Sequence, residues 1–162
     1  MKGAIEVIIF FVVVMTALLV FFTMFKFPKT NGYSMLPSFD DGDTMLVLNT
    51  RSVEVNDIVV VNSSALGEYI VKRVIGVSGD HIEIREGTLY RNGTPLYEAY
   101  LNDDNWCKEV DFVDVVVPDG YIFLLGDNRV VSMDSRAIGV VPTSEIYGKV
   151  LCNLTRWDWY LD

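Results

Sequence analysis

The stretch EYIVKRVIG at residues 68–76 decides the fold expected of this chain. Its residues are mainly β-branched or aromatic and glycines bound it, so it predicts a buried β-strand. Alternate side chains of a pleated strand share one face, which places Lys72 between Ile70 and Val74 on an apolar face. Burial disfavours the ammonium form and lowers the pKa of a lysine. The stretch therefore predicts a strand that carries a potential base.

Strand patterns continue on both sides of this stretch. They cover residues 44–48, 57–61, 81–85, 88–91, 113–117 and 121–125. Asn92-Gly93 is a strong signal for a two-residue hairpin turn. Strands at this spacing predict a mainly β domain, a small barrel or sandwich. The polar stretch 95–111 predicts an irregular insertion, either a loop or a small subdomain.

An apolar run precedes the predicted strands. Residues 7–25, VIIFFVVVMTALLVFFTMF, contain no charge, and at ~1.5 Å per residue a helix of this length spans a bilayer. The run has no polar stripe, unlike a core helix. Bulky residues follow it where a cleavable signal peptide has a small-x-small site. The sequence thus predicts a tail at 1–6, one uncleaved transmembrane anchor at 7–25, a linker and turn at 26–33, and a β-rich domain at 34–162. The flanking charges are nearly balanced, so they leave the orientation open.

Charge and cysteine content narrow the possible partners. Of the 22 acidic and 13 basic residues, only one acidic but three basic residues precede residue 31, so the domain is strongly acidic. Nucleic acid requires a basic surface, which argues against it as a partner. Cys107 and Cys152 fit no zinc pattern, and neither a metal nor a cofactor is predicted. The two cysteines form a disulfide if the domain lies outside the cell, or remain buried thiols.

Ser34, in NGYSMLP at residues 31–37, is the candidate nucleophile. The chain has a single histidine, His81, so a lysine is the simplest base for a serine hydrolase. A neutral Lys72 amine would take the Ser34 proton during attack on a carbonyl. The backbone N–H of Ser34 is a candidate donor to the oxyanion, and Gly32 leaves space for a substrate backbone.

A polar cluster follows the strand at 121–125. The sequence GDNRVVSMDSR at residues 126–136 places acids, arginines and serines together at the edge of a core, where they must be hydrogen-bonded and ion-paired. Arg73 points away from the face of Lys72 and can pair with Asp127 or Asp134. The cluster is either a structural turn or a set of residues that orients a catalytic group, and its composition leaves both readings open.

These segments together resemble the bacterial type I signal peptidases, and more closely their compact single-anchor Gram-positive-like members. The resemblance rests on Ser34-Met35-x-Pro37, on Gly42-Asp43 before a strand, on residues 72–76 with Gly79-Asp80, and on residues 126–136. It implies a membrane-anchored serine endopeptidase that removes signal peptides from exported preproteins. It also implies a place in the cytoplasmic membrane, with the domain on the extracytoplasmic face. The expected partners are preproteins and the bilayer, and the secretion machinery is a candidate partner.

The resemblance also implies a role for each matching residue. Ser34 is the nucleophile, Lys72 the general base, and Ser132 a hydrogen-bond partner that orients the lysine amine. The other implied residues are the supporting ion pairs, Asp127, Arg73, Asp134 and Arg136, and the substrate-contacting Met35, Val71 and Gly32. The substrate would lie as an added strand along the site.

The chain departs from the family pattern at Val130 and Val131, where a polar pair is common, and this puts the polar network in question. Three other classes remain for comparison. A self-cleaving repressor also pairs Ser-Met with a lysine but has no anchor. An inactive relative serving surface-protein assembly would lack Ser34 or Lys72. An anchored binding module would not explain a lysine on an apolar face.

Overall fold

The computed structural model describes residues 2–101 and 112–160. Its first element is the helix α1, Lys2–Met24, which begins ahead of the predicted apolar run. Within it, Ile5–Met24 has a mean hydropathy of 2.9 and is not buried against the rest of the chain. By length and composition α1 can cross a membrane. This fits the predicted anchor.

The remaining elements are mostly short strands. In chain order the strands are β1 Phe25–Lys26, β2 Met45–Leu48, β3 Ile58–Ser63, β4 Glu68–Val77, β5 His81–Arg85, β6 Thr88–Arg91, β7 Thr94–Pro95, β8 Val113–Val116, β9 Tyr121–Leu125, β10 Val141–Pro142, β11 Ile146–Asn153 and β12 Asp158–Trp159. A short helix α2, Ser135–Ile138, and a 3₁₀ turn, Thr143–Glu145, complete the described elements. The predicted mainly β fold is confirmed.

The strands form two antiparallel sheets. The larger has the order β1-β2-β11-β3-β4-β9-β10, with β12 paired to β11, and the smaller has the order β7-β6-β5-β8. In the larger sheet Lys72 of β4 lies opposite Val59 of β3, and Arg73 lies opposite Leu125 of β9. The register therefore sets Arg73 directly beside the chain that leaves β9 toward residue 126.

Strand β4 contributes to all three apolar clusters of the core. Ile70 and Val74 belong to a cluster under β3 and β9, and Ile75 belongs to the cluster shared with the smaller sheet. Val71 packs on the third cluster, which contains Met35 and Phe39. An irregularity in the pairing with β9, between Val74 and Gly76, allows the strand to change direction. The stretch 68–76 thus holds the two sheets and the serine-bearing loop together.

Two parts of the fold differ from the sequence expectation. Strand β11 lies centrally between β2 and β3, although no strand was predicted there. The predicted linker at 26–33 is partly sheet, because β1 pairs with β2 and Lys29 bridges Thr44. Sheet pairing thus begins directly after α1, so no unpaired linker separates the helix from the sheet.

Two predictions from the sequence concern residues that lie wholly or partly outside the described ranges. Cys152 is buried in β11 with a free thiol. Cys107 lies outside the described residues, and of the two alternatives from the sequence the structure has the buried free thiol at Cys152. Most of the predicted insertion at 95–111 also lies there.

Candidate active site

Ser34 and Lys72 meet in the structure. Ser34 opens a helical turn in which Phe39 N donates to Met35 O at 2.9 Å. Lys72 extends from β4, and its Nζ lies in hydrogen-bond contact with Ser34 Oγ at 2.8 Å and Val71 O at 2.9 Å. A distance of 2.8 Å permits direct proton transfer between hydroxyl and amine. The predicted pair is therefore assembled.

The surroundings of Lys72 favour its neutral form. The residue is 3% exposed, and burial lowers its pKa from 10.5 to about 8, against the opposing charges of Asp134, Asp127 and Glu68. Among the described residues no carboxylate lies within ion-pair distance of its Nζ. An amine without a contacting anion in a dry site loses its proton more readily. Lys72 can therefore act as a base near neutral pH.

The chain that follows β9 holds the backbone of the serine. Asn128 N donates to Ser34 O at 3.0 Å, and Asn128 Nδ2 donates to Tyr33 O at 3.1 Å. Gly126 permits this approach, since a Cβ there would lie 2.5 Å from Ser34 O and 2.2 Å from Ser132 Oγ. Asn128 was not among the predicted site residues, although it lies in the 126–136 segment that the sequence analysis singled out.

Two ion pairs surround this contact. Arg73 binds Asp127 through two parallel hydrogen bonds of 2.8 and 2.7 Å, and Ser38 Oγ donates to the same carboxylate at 2.5 Å. Asp134 pairs with Arg136 at 2.9 and 3.0 Å. Such fork-shaped arginine–carboxylate pairs fix geometry as well as charge. The first pair ties the lysine strand to the serine turn.

The Asp134 carboxylate also organises its own turn. It accepts a hydrogen bond from Gly126 N at 3.0 Å and caps α2 through Arg136 N at 3.2 Å. These bonds join the start of the 126–136 segment to its end. They connect that segment to the glycine that touches the serine backbone.

A cleft of about 830 Å³ opens at the dyad. It contains Ser34 and Lys72 and all three residues predicted to contact substrate, Gly32, Met35 and Val71. Its other apolar lining residues include Val131, Met133, Tyr69 and Tyr147. This volume and apolar lining can accommodate a peptide segment with apolar side chains.

Comparison with known proteins identifies the family. The family model described as signal peptidase, peptidase S26, matches residues 4–155. This chain belongs to that family. Membership places it among the serine endopeptidases.

Individual relatives agree with this assignment. Signal peptidase IB of Staphylococcus aureus (strain COL) is 34% identical over 90% of this chain and 87% of its own length. Signal peptidase I of Bacillus licheniformis is also 34% identical, over 85% of this chain and 80% of its own. The crystal structure of a signal peptidase I from Enterococcus faecalis V583 is similar with a TM-score of 0.53 and 32% identity, covering 60% of this chain and 96% of that one.

Ser132 departs from the expectation. A hydrogen bond to the Lys72 amine was predicted, but Ser132 Oγ is buried and has no hydrogen-bond partner among the described residues. The Lys72 amine instead contacts Ser34 Oγ and Val71 O. A buried hydroxyl without a partner costs about 1–3 kcal/mol. The predicted orienting bond is thus not formed in this state of the site.

Val130 and Val131 do not disrupt the polar network. Both side chains are exposed, and Val131 lines the cleft. Arg136 Nη2 donates to Arg129 O across them at 2.7 Å, and its ion pair with Asp134 is formed. The departure from the family pattern therefore changes the wall of the cleft and leaves the ion pairs intact.

A buried pair that the sequence did not predict supports the same segment. Glu98 binds Arg129 through both oxygens, and both side chains are almost fully buried. Tyr100 donates to Glu98, and its ring lies 3.8 Å from the Arg73 guanidinium carbon. Residues 98–100 fell in a stretch predicted to be an irregular insertion. No local pattern there signals a contact with residue 129.

No cluster of potential metal-binding side chains occurs in the described ranges.

Proposed function

We propose that this protein removes signal peptides from exported preproteins, with Ser34 as nucleophile and Lys72 as general base. The observation that carries the proposal is the 2.8 Å contact between Ser34 Oγ and a buried lysine amine of lowered pKa. The contact lies in a cleft large enough for a peptide. Membership in the signal peptidase family supplies the class of substrate.

In the first half-reaction the neutral Lys72 amine takes the proton of Ser34 as Oγ attacks the scissile carbonyl carbon. The carbonyl oxygen becomes an oxyanion, and the backbone N–H of Ser34 is the donor that we propose for it. The lysine ammonium then gives its proton to the departing amine. The peptide C–N bond breaks, and an ester with Ser34 remains.

In the second half-reaction water replaces the departed amine. Lys72, again neutral, takes a proton from the water as its oxygen attacks the ester. The tetrahedral intermediate collapses, Ser34 leaves with the proton from Lys72, and the signal peptide is released with a free carboxylate.

The ion pairs contribute by holding the dyad in place. Arg73 and Asp127 join β4 to the serine turn through Ser38. Asp134 and Arg136 fix the segment that contacts the Ser34 carbonyl through Gly126 and Asn128. Preorganisation of this kind reduces the entropy lost on reaching the reactive geometry.

The cleft favours small side chains next to the scissile bond. Met35 is buried and Val71 half-buried beside the dyad, and both line the cleft with apolar side chains. Bound as an extra strand, the substrate would use backbone hydrogen bonds for affinity and these walls for selection.

We further propose that α1 spans the cytoplasmic membrane and the domain lies on its outer face, where exported preproteins emerge. The apolar span Ile5–Met24 and the family assignment support this arrangement. Protease added to intact cells would then degrade the domain. If degradation required permeabilised cells, the opposite orientation would hold.

The central test is cleavage of a preprotein with an Ala-x-Ala site by the full chain in detergent or lipid. Wild type should cleave after the second alanine, Ser34→Ala and Lys72→Ala should not, and the exposed Ser52→Ala should match wild type. Wild-type protein that is folded but inactive on several such preproteins would overturn the proposal. Cleavage that survives in Ser34→Ala would overturn the assigned nucleophile.

A further inference from the structure

The turn that carries Ser34 ends with the carbonyls of Pro37 and Ser38, which accept hydrogen bonds from outside the turn. Backbone carbonyls without a partner in their own turn need donors from elsewhere. Arg156 Nη1 donates to Pro37 O at 2.8 Å, and the Tyr160 hydroxyl donates to Ser38 O at 3.0 Å. The donors come from residues 153–160, which we call the C-terminal clamp.

The C-terminal clamp also holds the far end of the same loop. The carboxylate of Asp43 is buried and accepts from Asp40 N at 2.9 Å. The clamp adds Asn153 Nδ2 at 2.8 Å and the Arg156 guanidinium at 3.3 Å to the same oxygen. Residues 37–43 are therefore fastened at both ends by one short piece of chain.

The clamp is itself firmly placed. Asn153 belongs to the central strand β11 and its Oδ1 accepts from the backbone N–H of Arg156 at 3.2 Å. Tyr160 packs its ring against buried Phe39 with centroids 5.4 Å apart. Burial raises the pKa of Tyr160 to about 12, so its hydroxyl stays protonated and can donate throughout the working pH range.

The fastened carbonyls lie three and four residues after the nucleophile. Ser38 also reaches the Arg73–Asp127 pair through its hydroxyl. Its carbonyl is thus held by the clamp while its side chain is held by the pair next to Lys72. A movement of Ser38 would shift the turn against β4 and alter the distance from Ser34 Oγ to the lysine amine.

We propose that Arg156 and Tyr160 are positioning residues, which hold the Ser34 turn in the register at which Oγ meets Lys72. Neither side chain touches the dyad. This inference rests on the proposed function, since it assigns a role in the same cleavage reaction.

Steady-state kinetics on the Ala-x-Ala substrate test the proposal with the full chain. Tyr160→Phe keeps the ring on Phe39 and removes only the hydroxyl, so the protein should fold. Arg156→Ala removes the donor to Pro37 and the ion pair with Asp43. We expect kcat to fall about tenfold for Tyr160→Phe and about fiftyfold for Arg156→Ala, since small displacements of reacting groups are costly. KM should stay within about twofold, because the cleft walls are untouched.

Two matched variants serve as controls. Tyr121→Phe removes a hydroxyl without a hydrogen-bond partner among the described residues, and Arg51→Ala removes an exposed arginine. Both should keep the wild-type kcat. A general loss of stability would lower the melting temperature and the active fraction, whereas a positioning role lowers kcat in fully folded enzyme assayed well below that temperature.

Each outcome has one meaning. Loss of kcat at constant KM in folded Tyr160→Phe supports the positioning role. A kcat equal to that of the controls, with wild type cleaving in a Ser34-dependent manner, overturns the positioning role and leaves the proposed function standing. Absence of Ser34-dependent cleavage in wild type overturns the proposed function instead.

Discussion

The protonation of Lys72 should set the pH dependence of cleavage. Burial lowers its pKa from 10.5 to about 8, so about one-tenth of the molecules carry a neutral amine at pH 7. An unperturbed lysine would be neutral in about 0.03% of molecules at that pH. The structure therefore raises the active fraction about 300-fold. The value of kcat/KM should rise about tenfold from pH 6 to 7 and level off above the midpoint near 8.

A single charge change tests whether this midpoint belongs to Lys72. The carboxylate of Glu68 favours the ammonium form of Lys72, and the side chain is exposed at the start of β4. Glu68→Gln should therefore move the midpoint to lower pH by a few tenths and about double kcat/KM at pH 7. Glu54→Gln, an exposed acid that does not act on Lys72, should leave the midpoint unchanged.

The assay measures kcat/KM between pH 5.5 and 10, on a substrate without titratable side chains near the scissile bond. Folding is checked by circular dichroism at each pH. A midpoint near 10, or a flat profile, would refute the reasoning that burial prepares the base. Equal shifts in Glu68→Gln and Glu54→Gln would show that net charge, and not the local field at Lys72, sets the profile.

Three further changes test separate parts of the site. In Gly126→Ala the new methyl meets Ser34 O at 2.5 Å, so kcat should fall at least about 100-fold in folded protein, and a change below about threefold would contradict the close approach. Glu98→Gln removes the carboxylate that pairs with buried Arg129. It should lower the free energy of unfolding, measured in urea, by about 3 kcal/mol. A decrease below about 1 kcal/mol would contradict that pairing. Lys72→Met should abolish cleavage and raise the free energy of unfolding by about 2 kcal/mol at pH 7. The pKa of Lys72 is lower in the folded protein than in the unfolded chain, so below pH 8 the buried ammonium destabilises the wild-type fold. Wild-type stability should recover between pH 8 and 10.5, so equal stability of wild type and Lys72→Met at pH 7 would count against that cost.

Local pattern was enough to predict the parts of this protein that depend on near neighbours. The strands His81–Arg85 and Tyr121–Leu125 have the predicted bounds. Five residues are enough to recognise each of them, the first by its alternating polar and apolar residues and the second by its apolar run. The placement of Lys72 among branched aliphatic residues predicted its burial. For Arg73 the sequence offered Asp127 or Asp134 as the partner, and the structure has the pair with Asp127.

Contacts between distant residues could not be predicted in this way. Strand β11 contains a glycine and a lysine, and it is central because it pairs with β2 on one side and β3 on the other. Gly148 fits there since a Cβ would meet Leu48 O at 2.5 Å. Glu98 binds Arg129, which lies 31 residues later in the chain. In both cases the sequence around one partner gives no sign of the other, so these contacts are visible only in the folded structure.

Lys72 and Arg73 are adjacent basic residues on one strand in different electrostatic environments. Arg73 contacts a carboxylate and Lys72 does not, which explains how Lys72 can act as a base close to several acids. Arg73 receives the Asp127 carboxylate in direct contact at 2.7 Å, which neutralises that acid within the core. Arg136 does the same for Asp134. Two of the three carboxylates that favour the ammonium of Lys72, Asp127 and Asp134, are thus paired with a guanidinium that stays charged at all working pH values, and the third, Glu68, is exposed. Burial lowers the pKa of Lys72, and the arginines fix the geometry of the two acids by direct ion pairs, so that neither acid pairs with the lysine amine.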